Sequence, residues 1–176
     1  THRGAIAADG RTGDGCGMLV AFPTAFLRAV AEEVGLAPGP LFAAGTVFLD
    51  PDAAAASTER TALEQALRGN DLHVVGWREV PVDPQVCGDE AERTRPRIEQ
   101  VFVDPRSAEA DRGAFGRALF VARRQAEREL ADHGAFHVVS LSPDVFGYKA
   151  LVMPEALPRF YRDLADPRFA SSICVF

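Results

Sequence analysis

Cysteine is scarce in this chain: Cys16, Cys87 and Cys174 are odd in number and far apart, with no Cys-x-x-Cys pair and no histidine at metal-ligand spacing. A disulfide framework and a zinc site are therefore not indicated, and free thiols in a reducing compartment are expected. No apolar run approaches the roughly 20 residues that span a bilayer, and the start carries no basic region followed by an apolar core. The chain reads as cytoplasmic, with no membrane partner and no metal. Positive charge is also in short supply, with 25 acidic against 19 basic residues and a net charge of -6. The arginines are scattered rather than gathered into a stripe, so the electrostatic footprint of a nucleic-acid partner is missing. Repeats, low-complexity tracts and coiled-coil heptads are absent too.

What is present suits one domain, because 176 residues can bury roughly 70% of the surface that the unfolded chain exposes. Strands and helices interleave. The apolar run 17–22, bounded by glycine and proline, predicts a buried strand, and Phe26, Val30 and Val34 then recur at helical spacing before Gly35. A second strand is expected over 42–49. Asp50-Pro51 then offers a capping side chain and a first-turn proline for a helix ending near Gly69, with Leu63 and Leu67 on its core face. Residues 72–77 and 98–103 are rich in β-branched and aromatic side chains and predict strands; the polar, proline-punctuated stretch 83–97 between them predicts a surface excursion. Phe115, Leu119, Ala122, Ala126 and Leu130 mark one side of an amphipathic helix over 111–131. Strands are expected over 136–141, 148–153 and 171–176, with a short helix over 157–164. The last strand, with Ile173, Val175 and Phe176, would present an apolar edge.

Several short patterns invite chemical readings. Gly13-Asp14-Gly15-Cys16-Gly17 is no phosphate cradle, since no Gly-Lys-Ser/Thr follows and the dinucleotide fingerprint is not met. It is no calcium loop, because the spacing from Asp9 is wrong and the closing glutamate is missing. Cys16 reads as a small buried thiol on a strand rather than a nucleophile. Asp14 reads as a turn residue whose side chain ties down local backbone, with contact to an active site as the alternative. An amino-terminal threonine can use its own amine as a base, but Thr1 merely precedes His2-Arg3-Gly4-Ala5 and is not read as a nucleophile. His2, His73, His133 and His137 show no paired spacing and default to structural roles. Lys149 reads as a salt-bridge or surface residue, with a desolvated catalytic amine as the alternative. An acyl-transfer site needs an anion-friendly group and a small residue that lets backbone approach an amide. Arg3 and Gly4 meet those needs, and pairing of Arg3 with a carboxylate and a turn at Gly4 is the plainer reading.

The order of motifs is more specific than any one of them. His2-Arg3-Gly4-Ala5, Thr12-Gly13-Asp14-Gly15, the apolar run 18–22 and Pro23 are followed by residues 75–81 (VGWREVP), 96–103 (PRIEQVFV), 119–124 (LFVARR), Tyr148-Lys149 and 157–161 (LPRFY). In this order the chain resembles, over nearly its whole length, the class II glutamine amidotransferase domain of the glutamate synthase large-subunit family. Ala150 stands where that family usually has glycine.

The resemblance implies an α+β fold, part of a four-layer α/β/β/α sandwich of amino-terminal nucleophile hydrolases with mainly antiparallel sheets. It implies that residues 1–176 are an incomplete type-2 domain, with both ends artificial. The nucleophilic cysteine is expected upstream of Thr1, and the arginine that grips the substrate carboxylate and the oxyanion-hole Asn-Gly after Phe176, so no catalytic residue is assigned here and the piece alone is expected to be inactive. Arg3 would shape the pocket around that cysteine, the Gly4 carbonyl would accept from the glutamine amide, and Gly13, Asp14 and Gly15 would frame the site. The parent would release ammonia from glutamine and pass it to a synthase domain, where 2-oxoglutarate is converted reductively with FMN and an iron-sulfur cluster. None of those cofactor sites is expected in this segment. Implied partners are glutamine, the rest of the synthase chain, and a small electron-donating subunit or ferredoxin. An amidotransferase with another ammonia acceptor, and a non-catalytic binding domain that has lost its nucleophile, remain as alternatives.

Overall fold

The computed structural model of the chain describes residues 9–107 and 109–175. Two antiparallel sheets organise it. β1 (Cys16–Ala21), β6 (Val145–Ala150) and β7 (Cys174–Val175) form a three-stranded sheet in the order β6-β1-β7. β2 (Ala43–Leu49), β3 (Leu72–Glu79), β4 (Arg97–Pro105) and β5 (His137–Val138) form a four-stranded sheet in the order β3-β4-β2-β5.

Strand alternation decides which core each residue joins. On β4, Ile98 and Phe102 join Val20, Phe146 and Tyr148 in an inter-sheet core. Val101 and Val103 instead meet α2 (Ala53–Gly69) and α4 (Arg112–Glu129) on the opposite face, against Leu63, Leu67, Phe115 and Leu119. α1 (Thr24–Glu33) and α5 (Leu157–Phe160) contribute Phe26, Leu27, Val30, Leu157 and Phe160 to the inter-sheet core. The layers are thus a helix pair, a four-stranded sheet and a three-stranded sheet, an α+β arrangement as expected. Leu19, Val145 and Val175 lie exposed on the three-stranded sheet.

Within the inter-sheet core lies a polar network that the motif-bearing segments build together. The Arg78 guanidinium donates to both Asp163 carboxylate oxygens at 2.8 and 2.7 Å and to the Gln100 side-chain oxygen at 2.8 Å. Gln100 donates to the Tyr148 hydroxyl at 3.0 Å, and that hydroxyl donates to Asp163 at 2.5 Å. Burial, then the Asp163 charge, pushes the Tyr148 phenol far above its ordinary range, so it stays a neutral donor. A β-bulge between Val74 and Gly76 sets the register that places Arg78 opposite Gln100 and turns Trp77 the other way, where its indole N–H donates to Glu64 at 2.9 Å. Gly76 has φ of +156°, and a Cβ there would run into the Leu36 side chain.

Several elements differ from their sequence expectations. α2 is capped by Asp52, which accepts from the Ala54 and Ala55 N–H groups at 3.0 and 2.9 Å; Asp50 instead holds the Asp52 N–H at 2.8 Å, so Asp50-Pro51 forms the approach to the helix. Val34 lies at the C-cap of α1 and is 49% exposed, because Gly35 at φ +78° reverses the chain there. β6 lies three residues earlier than expected, since its register ends where Ala150 meets Cys16. β5 pairs over two residues only, the Val139 and Ser140 N–H groups converging on the Thr46 carbonyl. The helix expected over 157–164 breaks at Tyr161, whose extended backbone lays its ring under Tyr148 at 4.1 Å between centroids. The final strand is confined to 174–175, with Ile173 and Val175 exposed; Phe176 lies outside the described residues.

The stretch 83–97 corrects the largest misreading. It holds a 3-10 turn (Pro84–Val86) and α3 (Asp89–Arg93), and Cys87 and Ala91 are buried in the inter-sheet core. Its apolar positions are too few to show as a periodic pattern, which is why it reads as a surface excursion.

Removing one partner of a buried ion pair strands the other charge. Asp163→Ala should therefore lower unfolding stability by about 3–5 kcal/mol in chemical denaturation, far more than loss of an exposed pair such as Arg106–Asp71.

Candidate active site

The segment that leads into β1 is held by its own side chains. Asp9 accepts from the Arg11 N–H at 2.9 Å, the Thr12 N–H at 2.8 Å and the Thr12 hydroxyl at 2.5 Å. Those bonds, the Thr12 hydroxyl foremost, hold its carboxyl well below the usual carboxylate range. Asp9, not Asp14, thus ties down this turn. The Ala91 N–H of α3 reaches the Thr12 hydroxyl at 3.4 Å, and Gly88 packs so closely that a Cβ would stand 2.7 Å from the Thr12 nitrogen. The excursion therefore clamps the turn from outside.

Glycines allow the next residues to lie flush on β6 and its continuation. A Cβ on Gly13 would stand 2.8 Å from the Val152 carbonyl oxygen, and one on Gly17 2.7 Å from the Tyr148 carbonyl oxygen. Gly15 has φ of +110°, which side-chain-bearing residues rarely adopt. From the other side, the Tyr161 hydroxyl donates to the Lys149 carbonyl at 2.5 Å.

A cleft of about 410 Å³ opens beside this loop, lined by Asp14 and Gly15, by Lys149 and Ala150 at the end of β6 and Leu151 after it, by Cys87, Ala91 and Arg95 of the excursion, and by Phe48 and His137. Arg95 is engaged by Glu92 at 2.8 Å. Burial raises the Cys87 thiol above its ordinary value, and burial likewise raises that of half-buried Cys16, so neither is set up as a thiolate nucleophile. A wider groove of about 770 Å³ lies nearby, with Arg11, Arg159 and Arg162 mixed with Asp83 and Glu155. Arg11 there is tied to the Gln85 carbonyl.

Of the residues singled out from sequence, Arg3 and Gly4 lie outside the described residues, as do Thr1 and His2. Asp14 and Gly15 line the cleft, while Gly13 is buried beneath them. His133 sits 3.3 Å from the buried Glu59, away from the cleft. Of the two plain readings of Lys149 the surface one holds: it is exposed, has no ion pair among the described residues, and lines the cleft. His137 and Arg95 were not legible as cleft residues because they come from separate elements with no shared motif. Among the described residues, no group of three His, Cys, Asp or Glu side chains is arranged to hold a metal ion. No described helix is long and apolar enough to cross a membrane.

Comparison with known proteins adds a direct finding. The family profile described as Glutamine amidotransferases class-II matches residues 1–176. The chain is 35% identical to the glutamate synthase (NADPH) large chain of Azospirillum brasilense over 99% of its own length and 12% of that protein. It is 35% identical to the glutamate synthase (NADPH) large chain of Bacillus subtilis, again over 99% and 12%. It is 34% identical to the ferredoxin-dependent glutamate synthase 2 of Synechocystis over 99% of this chain and 11% of that one. The chain thus spans about one eighth of the relatives it matches.

His137 supplies a test of the cleft's electrostatics. Burial first, then the charges of Lys149 and Arg123, hold its imidazole below the ordinary value of 6.5. The unfolded chain therefore takes up this proton more readily than the folded one. The contribution of His137 to stability is complete above 6.5 and is lost as pH falls from there through the folded value. An NMR titration should give His137 an apparent pKa below 6.5, and Lys149→Ala should move it upward.

Proposed function

The chain belongs to the class-II glutamine amidotransferases, and on that premise we propose that it is the glutaminase segment of a glutamate synthase. In this reading the parent enzyme releases ammonia from glutamine and delivers it to 2-oxoglutarate, which is converted reductively to glutamate. The observation that carries the proposal is the likeness to glutamate synthase chains of two kinds, NADPH and ferredoxin-dependent, over 99% of this chain.

A class-II site hydrolyses an amide by nucleophilic attack and needs the developing oxyanion and the leaving amine to be met by fixed groups. We assign the nucleophilic cysteine to the polypeptide upstream of Thr1, and the carboxylate-gripping arginine and the Asn-Gly to the polypeptide after Phe176. Residues 1–176 are then one part of the type-2 domain. Arg3 shapes the pocket around the cysteine, and the Gly4 carbonyl accepts a hydrogen bond from the glutamine amide. Gly13, Asp14 and Gly15 frame the site. Support for that framing comes from the Asp9–Thr12 turn, which fixes the chain five residues after Gly4 and is itself clamped by Gly88.

The parent would use FMN and an iron-sulfur cluster for the reductive half-reaction. The residues here do not fit an iron-sulfur cluster: among the described residues no group of three His, Cys, Asp or Glu side chains is arranged to hold metal, and burial raises the Cys16 and Cys87 thiols above their ordinary values. No step is routed through those cofactors in this segment. The electron donor is a small subunit or ferredoxin, the remaining partner is the rest of the synthase chain, and the location is cytoplasmic.

Arg3→Ala in the full-length polypeptide tests the assignment. Glutamine-dependent glutamate formation should fall roughly 10²-fold, the usual scale for losing a charge-stabilising group at such a site. Glutamate formation from added ammonia should be retained, because ammonia bypasses the glutaminase step. Equal retention of both activities would contradict the role of Arg3, and failure of the parent to make glutamate from either source would contradict the synthase reading.

A further inference from the structure

We propose that the outward face of α4 is a docking surface for another part of the same polypeptide, one that presents carboxylates around an apolar hollow. The choice of occupant rests on the reading of function given above, in which residues 1–176 are one portion of a longer synthase.

α4 is apolar on two sides. Phe115, Leu119, Ala122 and Ala126 pack into the core between the helix pair and the four-stranded sheet, and a surface helix should carry polar side chains opposite them. Phe120 is instead 63% exposed and Val121 43% exposed. Arg117, Arg124 and Arg128 lie beside them, so that Gly113, Arg117, Phe120, Val121, Arg124 and Arg128 form one exposed stripe within an arc of about 100°. No aspartate or glutamate falls within the stripe. Glu127 borders it and is shared by Arg123 and Arg124, at 2.7 and 2.5 Å.

In a chain of net charge -6, three guanidinium groups around two exposed apolar side chains are a local reversal of sign. An ordinary solvated helix face mixes acids with bases, whereas an aromatic residue among arginines, with acids excluded, has the composition of a protein interface. From Gly113 to Arg128 the stripe runs about 22 Å along the helix axis. That is the scale of a contact between domains rather than of a small-molecule site.

The chemistry of the stripe selects among occupants. A phosphate backbone would meet the arginines and leave Phe120 and Val121 in water. A second copy, docked about a two-fold axis, would set the same cationic stripe against itself. Carboxylates around an apolar hollow satisfy both the charged and the apolar side chains. The chain covers 12% of the NADPH-type relatives, so on the reading above most of the protein surface within reach of this face is the parent's own. Contacts between domains of one chain have this mixed polarity.

Photo-crosslinking from position 120 tests the proposal. Phe120→p-benzoylphenylalanine is introduced into the full-length polypeptide, where a side chain this exposed tolerates the larger group. The purified protein is irradiated, and crosslinked peptides are identified by mass spectrometry. The expected product joins residue 120 to a peptide of the same polypeptide outside residues 1–176 that carries aspartate or glutamate. R117E/R128E, at two exposed positions, should lower its yield roughly tenfold through like-charge repulsion. Crosslinks confined to residues 1–176, no crosslink, a product of twice the chain mass, or attachment to nucleic acid or to a separate protein would each overturn the proposal, as would a yield unchanged by the charge reversal. Glutamate formation from glutamine and from ammonia is assayed on the same preparation before irradiation. Activity without the crosslink overturns the docking surface and leaves the proposed function standing; the crosslink without activity supports the docking surface and overturns the synthase reading.

Discussion

A guanidinium cannot be left between two apolar sheets without a counter-charge, and Arg78 is 8% exposed and pairs, among the described residues, with a carboxylate 85 residues away at Asp163. Everything near the cleft depends on that pairing. It draws the 3-10 turn Arg162–Ala165 under β3, and through the Tyr148 hydroxyl it ties the three-stranded sheet to Gln100 on the four-stranded one. Burying the pair is costly, and the cost is offset only because the remaining donors and acceptors, from Gln100 and Tyr148, are satisfied in the same place. Such a network adds less to stability than to definition: few alternative packings of the two sheets would leave all four side chains paired.

The cleft inherits its geometry from this anchor by short steps. Tyr148 sits in the network, Lys149 follows it, and Tyr161, stacked on Tyr148, holds the Lys149 carbonyl. β1 pairs along the same strand, and glycines at 13 and 17 let the loop settle against that backbone. The excursion then closes over the Asp9–Thr12 turn. A loop of exposed, polar residues is thereby made into a rigid wall. The glutaminase site proposed here, which must present fixed groups to a reacting amide, would require that rigidity.

Much of this was legible in the chain itself. The alternation of Ile98 to Val103 and the helical spacing of Phe115, Leu119, Ala122 and Ala126 locate the sheet and its covering helix. The ordered motifs, set beside a known family, led to the α+β class with two antiparallel sheets. Other features were hidden for physical reasons. The Arg78–Asp163 pair joins positions with no local pattern in common, and a buried charge looks like a solvated one until its partner is placed. Asp9 and Asp14 are equally plausible turn residues by composition, and only hydrogen-bond geometry shows that Asp9 holds the turn while Asp14 lines the cleft. The 83–97 stretch contributes two buried side chains amid polar neighbours, too sparse a signal for any periodicity.

The network, the glycine-built loop and the clamp form a scaffold whose purpose, in this account, is to hold an amide-hydrolysing site at the start of β1. A crystal structure of the full-length polypeptide after reaction with an electrophilic glutamine analogue tests that claim most directly. The account predicts the glutamine-derived acyl group on a cysteine upstream of Thr1, seated against Arg3 and Gly4 and facing the Gly13–Gly15 loop. An acyl group bound at a distance from that loop, or on Cys16 or Cys87, would contradict it.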